Sequence, residues 1–283
     1  MTNEQKLQVK DALMRYIACF DTQAEAANNL NGVSPAIISQ VKNNNWDMIS
    51  ERLWQHIARQ VGFYGGQWHA ADTSTSLLLR ILLSDAQHYC MSYGIAIARG
   101  LGKTFTATQY ARKHDHVIYI CANSTHNRRS FIAELLYAVG IKPSGTMPDM
   151  INSFSATFTA KDAPLLIVDD AHLLKDRVLQ LLVAITNTLT GKAGVVLMGT
   201  EELITRITEG TQEQKTGFDR IYDTLGRRFI TLNSLNPKDI EVICRANNLD
   251  EDSAIMAVAE ACNGNLHNIN SHLTRIRLMK IAA

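Results

Sequence analysis

The chain has 283 residues, of which 46% are hydrophobic and 19% charged, and 28 Lys/Arg against 27 Asp/Glu leave a net charge of +1. That composition supplies packed cores and excludes a disordered chain, and the near balance of charge excludes a uniformly basic nucleic-acid binder. At about 100–200 residues per domain the length allows two domains and a small appendage.

No apolar run reaches the ~18–20 residues of a membrane span. The start, MTNEQKLQVKDALMRY, has no apolar signal core. Five scattered Cys without a CxxC pair, and nine His off ligand spacing, point to reduced thiols, a cytoplasmic location and no zinc site.

Residues 1–61 read as short helices. Thr22 is placed to cap a helix containing the small residues Ala24, Ala26 and Ala27, Asn31-Gly32 signals a turn, and Ser34-Pro35 opens a second helix. Small residues let two helices cross closely, so 18–42 predicts a helix-turn-helix whose second helix presents Ser39, Gln40 and Lys42 to DNA. The same pattern also fits an ordinary helical hairpin, because residues 1–61 balance six cations against six acids. Residues 62–76, rich in Gly, Ser and Thr, read as a linker.

From residue 77 to 235, helices alternate with apolar strands near Met91–Ile97, Val117–Ala122, Pro164–Val168 and Gly194–Met198. The alternation predicts an α/β domain with a parallel sheet flanked by helices, and unbroken runs such as LLIV and VVLM fit strands covered on both faces. Residues 236–283 return to helices and read as a small helical lid.

Four motifs carry chemistry. Arg99-Gly100-Leu101-Gly102-Lys103-Thr104-Phe105 lies between a strand and a helix, where glycines let backbone N–H groups turn inward around phosphate oxygens. Lys103 would reach the β/γ-phosphates and Thr104 would hold Mg²⁺, giving an ATP site. The full phosphate-loop pattern wants Gly at 97, where this chain has Ile97; Gly94 comes three residues too early. About 65 residues on, Leu165–Val168 ends in Asp169 and Asp170. Asp169 suits the Mg²⁺ carboxylate and Asp170 the acid that acts on the attacking water, shorter by one methylene than the usual Glu. Thr200, after the strand Val195–Gly199, suits either a γ-phosphate sensor or a helix cap. Arg227 and Arg228, in LGRRF, suit an arginine finger completing a neighbour's site, with Arg228 preferred.

Charge is locally uneven. From Arg99 to Ser130 six cations face a single acid, Asp115. Arg128 and Arg129, and more weakly Lys175 and Arg177, are candidate DNA-phosphate contacts.

The succession helix-turn-helix, GLGKT, LLIVDDAH, VVLMGTEEL, LGRRF and helical lid resembles the AAA+ ATPases of DNA transposition (the Mu B-like and IstB-like proteins). The resemblance implies a P-loop AAA+ fold and slow, partner-stimulated ATP hydrolysis. It also implies homo-oligomers, as helical filaments or rings on double-stranded DNA, in a bacterial or phage-infected cell. Target DNA would be delivered to a transposase as partner. Position by position it assigns Lys103 and Thr104 to the phosphate loop, Asp169 to Mg²⁺, Asp170 to hydrolysis, Thr200 to the first sensor and Arg228 to the finger. The family's second-sensor Arg follows a G-x-L run; here Gly264-Asn265-Leu266 is followed by His267. A nucleotide-gated DNA-binding regulator, or an AAA+ protein of the helicase-loader or secretion type, are the competing expectations.

Overall fold

The computed structural model describes residues 1, 3–17, 20, 22–61, 68–227, 229–232 and 235–282. The chain divides into two compact units, Met1–Ala71 with Ile240–Asn263 and His267–Ala283, and Asp72–Asp239 with Gly264–Leu266.

The first unit begins with helices α1 (Asn3–Ile17), α2 (Gln23–Asn28), α3 (Pro35–Lys42) and α4 (Glu51–Gln60). Their ends are local chemistry. The hydroxyls of Thr22, Ser34 and Ser50 accept from the N–H groups of Glu25, Ile37 and Leu53, and Pro35 takes the first turn of α3. Ala26 and Ala27 are buried as the close-crossing pattern requires, whereas Ala24 is exposed. Val9, Leu13, Ile38, Val41 and Ile57 close around Trp54, which is fully buried and meets Trp46 edge-on at 5.6 Å. Trp54→Ala should therefore cost this unit about 3–5 kcal/mol. A urea melt reads that as a lowered midpoint; an unchanged midpoint would mean Trp54 is not central to the core.

The second unit holds α5 (Ser74–His88), β1 (Ser92–Ile97), α6 (Lys103–Lys113), β2 (Val117–Cys121), α7 (Arg128–Ala138), α8 (Met147–Thr159), β3 (Leu165–Asp169), α9 (Asp176–Leu189), β4 (Gly194–Gly199), α10 (Glu201–Gln212), α11 (Phe218–Thr224) and β5 (Phe229–Leu232). All pairings are parallel, in the order β2-β3-β4-β1-β5. Every residue of β3 and β4 is buried, so their apolar runs are continuous rather than alternating. Phe131, Phe154, Phe158, Leu182 and Ile185 from the flanking helices complete this core.

Residues 229–232 form a fifth, edge strand that was not anticipated. Gly94, three residues ahead of the position the full motif wants, lies within β1: a Cβ there would run into the Phe229 ring of β5, so the strand needs a glycine at that register.

The chain ends in α12 (Pro237–Ala246), α13 (Asp252–Ala261) and α14 (Leu266–Ala282). At the start of α12, Asp239 and Asn236 cap one another, and Asp239 also accepts from the Ser74 N–H and hydroxyl at 2.6 Å. Within the first unit, Asn247 and His69 exchange hydrogen bonds of 3.0 and 2.9 Å. Cys244 and Cys262, far apart in sequence, are both buried, and burial with that neighbour pushes the Cys244 thiol up to about 11. Among the described residues, no helix is long and apolar enough to cross a membrane.

Candidate nucleotide-binding site

The candidate groups gather at the carboxyl ends of the strands, where parallel sheets expose helix N-termini and backbone N–H groups to a ligand. The segment after β1 turns through Gly100 and Gly102, both left-handed with φ of 80° and 78°, into the first turn of α6. That conformation suits glycine and orients the amides at a helix start. Ile97, where the full motif wants glycine, is the buried last residue of β1, and Leu101 is also buried. Leu101 therefore contributes its backbone to the loop, while its side chain anchors it. Phe105 is exposed on α6, and Arg99 is exposed and pairs with Glu202 at 3.2 Å.

Lys103 and Asp169 form the centre. The Lys103 ammonium donates to Asp169 Oδ1 at 2.7 Å and also to Asp170 Oδ1. Asp169 is wholly buried and fully engaged: the Asp170 N–H donates to Oδ1 at 2.8 Å, and the hydroxyls of Thr104 and Tyr119 donate to Oδ2 at 2.7 and 3.0 Å. A buried carboxylate survives because each lone pair finds a donor. Burial disfavours the Lys103 charge, but the hydrogen bonds and charges of Asp169 and Asp170 outweigh it and raise its pKa. Burial, and then the Asp169 charge, push the Tyr119 phenol far up, so it acts as a donor.

Asp170 has φ 51° and ψ 34°. Asp and Asn enter this left-handed region more readily than Glu, because their short side chains bond locally. The conformation thus gives a reason for Asp where a longer acid is usual. Thr200 stands at the cap position of α10 without making a cap bond, and its buried hydroxyl has no protein partner.

Two contacts escaped the sequence reading. Tyr119 carried only the signal of a phenol inside an apolar strand, which needs a partner when buried. The spacing of Gly264–Leu266 carries no sign of what it touches: the Leu266 N–H donates to the Gly100 carbonyl at 2.8 Å, and Asn265 occupies the space a Gly100 Cβ would need. Gly100→Ala should therefore combine a strained φ, worth about 1–3 kcal/mol, with a clash against Asn265. Calorimetric titration with ADP should show binding weakened by about tenfold or more; wild-type affinity would refute this packing.

The other candidates are placed as follows. His267 is exposed in α14. Arg227, exposed and left-handed after α11, pairs with Asp223 of the same chain; Arg228 lies outside the described residues. Arg128 and Arg129 are exposed in the first turn of α7, behind an Asn127–Ser130 capping box. Lys175 and Arg177 are exposed at the start of α9. These helices follow the neighbouring strands β2 and β3, so both starts lie at the same carboxyl edge. Cations in a first helical turn oppose the helix dipole, an arrangement that favours an anionic partner. On α3, Lys42 is exposed, whereas Ser39 and Gln40 are half-buried and the Ser39 hydroxyl accepts from Gln23 at 3.1 Å.

A family model described as an AAA domain matches residues 97–207. That match runs from the end of β1 through most of α10, and so spans Lys103, Thr104, Asp169, Asp170 and Thr200. Among solved structures, the chain is similar to the Aeropyrum pernix ORC1 protein in complex with DNA, with 13% identity and a TM-score of 0.53 over 76% of this chain and 60% of that one. At this identity the likeness concerns the fold, and the chain accounts for less than two thirds of the length of ORC1. No curated protein matches the sequence.

Proposed function

We propose that this AAA-domain protein binds and slowly hydrolyses ATP, assembles through nucleotide into filaments on double-stranded DNA, and delivers that DNA to a transposase. The observation that carries the nucleotide half is the Lys103–Asp169–Asp170–Thr104 cluster at the carboxyl ends of β1 and β3. The DNA half is supported by the four exposed cations at the starts of α7 and α9; in the α2–α3 pair, read as a helix-turn-helix, Lys42 is exposed, while Ser39 and Gln40 are half-buried and would have to turn outward to reach DNA.

In this reading the α6 N-terminus and the Gly100–Gly102 amides receive phosphate oxygens, and Lys103 leaves the two carboxylates to bind them. The Thr104 hydroxyl and an Asp169 oxygen, 2.7 Å apart at the base of the loop, fit a hard divalent cation and would hold Mg²⁺. When bound, Mg²⁺ neutralises charge on the phosphate oxygens. Asp170, freed from Lys103, orients the attacking water and takes its proton. Thr200 supplies a hydroxyl for the γ-phosphate. Arg228 serves as the finger to a neighbouring subunit, Arg227 being engaged by Asp223.

Electron microscopy of the protein with duplex DNA and a slowly hydrolysed ATP analogue tests the assembly. Filaments with the wild type and none with Lys103→Ala are expected. Discrete complexes on one site would favour the nucleotide-gated regulator instead.

A further inference from the structure

Behind the acidic strand end lies a histidine that the scheme above does not use. His172 sits in the 3-10 turn Ala171–Leu173 that follows Asp170. Its side chain is 8% exposed, and its Nδ1 is buried without a protein partner. A Cβ on Gly199, the last residue of β4, would lie 3.5 Å from that Nδ1, so the ring abuts the strand end just before Thr200. Thr200 Oγ1 is likewise buried without a partner. Two polar atoms in this state are costly unless another state of the molecule satisfies them.

The turn is fixed from the same side. Arg206, on the helix that Thr200 begins, donates to the backbone carbonyls of His172 and Leu174 at 3.1 and 2.5 Å and pairs with Asp176. The path Thr200, α10, Arg206, His172 backbone, imidazole and Gly199 therefore closes on itself. Nε2 stands 3.9 Å from Glu202. Burial lowers the imidazole pKa against the opposing pull of Asp170 and Glu202. The neutral ring has one donor and one acceptor nitrogen.

We propose that His172 is a positioning residue for ATP hydrolysis, seating Thr200 relative to Asp170 through a hydrogen bond between Nδ1 and the Thr200 hydroxyl that forms in the nucleotide-bound state. The inference rests on the nucleotide reading above and adds a residue to it. The bond joins the acid at the end of β3 to the hydroxyl at the end of β4, so its loss lowers turnover without lowering ground-state affinity.

Two variants separate hydrogen bonding from packing in the full-length chain. His172→Phe keeps a ring and removes the nitrogens; His172→Asn places an amide near Nδ1. Each is measured for ATP turnover with duplex DNA, for affinity to ADP and to ADP with aluminium fluoride, and for Tm. His172→Phe should lose about tenfold in kcat, with KM and ADP affinity within about twofold of wild type. It should also lose the extra affinity conferred by aluminium fluoride, and His172→Asn should recover most of both. Equal behaviour of the two variants, wild-type kcat in His172→Phe, or parallel losses of ADP affinity and Tm would overturn the assignment. A wild type that neither binds ADP nor turns over ATP would overturn the nucleotide reading itself, and the His172 role with it.

Discussion

Lys103→Ala should abolish nucleotide binding, and the same change should destabilise the nucleotide-free protein. Both effects come from one atom. The ammonium is the cation that phosphate oxygens would meet at the start of α6, and in the structure it neutralises Asp169 and Asp170. Removing it leaves the fully buried Asp169 beside Asp170 without a cation. Breaking a buried pair from one side costs about 3–5 kcal/mol, and the partial exposure of Asp170 brings the loss toward the lower end. Thermal melts should show a lower Tm without ligand and no rise when ATP and Mg²⁺ are added. A variant whose Tm still climbs with nucleotide would show that Lys103 does not bind the phosphates.

Asp170→Asn should separate binding from turnover. Asn accepts the left-handed backbone at 170 as readily as Asp, so the fold around Asp169 survives the change. In the proposed mechanism the variant loses the group that takes a proton from water, and hydrolysis should fall by about 10²–10⁴-fold. Nucleotide binding should hold or tighten, because Lys103 then has one charged competitor for the phosphates, Asp169, in place of two. Phosphate release and equilibrium titration on the same preparation decide this. Undiminished release would remove Asp170 from the mechanism, and a collapse of affinity would make it a binding group.

The parts of the fold legible in the sequence are those whose signal is local. Thr146 caps α8 and Pro148 sits in its first turn, both positions that residue type alone favours. The apolar run of β3 reads unambiguously because the strand is covered on both faces. β5 was not legible: it has four residues, is half-exposed, and pairs on one side only, so neither a continuous run nor a clean alternation marks it. The same reason hid the meaning of Gly94, whose partner Phe229 lies on that strand.

The site divides in the same way. Lys103, Thr104, Asp169 and Asp170 stood out because motif spacing on strand ends is a sequence property, and the structure brings the four together. The backbone reason for Asp at 170 was not readable, since a left-handed φ leaves no mark beyond the residue type. Tyr119, Asn265 and His172 depend on neighbours 50, 165 and 27 residues away in sequence, and only the folded chain shows whom they face. For Thr200, spacing allowed a sensor or a cap; the geometry has no cap bond, which leaves the hydroxyl available for the first role.

In the proposed function a nucleotide enables a nearly neutral chain to hold DNA. Fluorescence anisotropy of a labelled duplex, titrated with the protein in the presence and absence of a slowly hydrolysed ATP analogue, addresses this most directly. Binding should require the analogue, be absent in Lys103→Ala, and weaken steeply as salt rises, because many phosphates are contacted at once. Equal binding with and without the analogue, or none in either case, would contradict it.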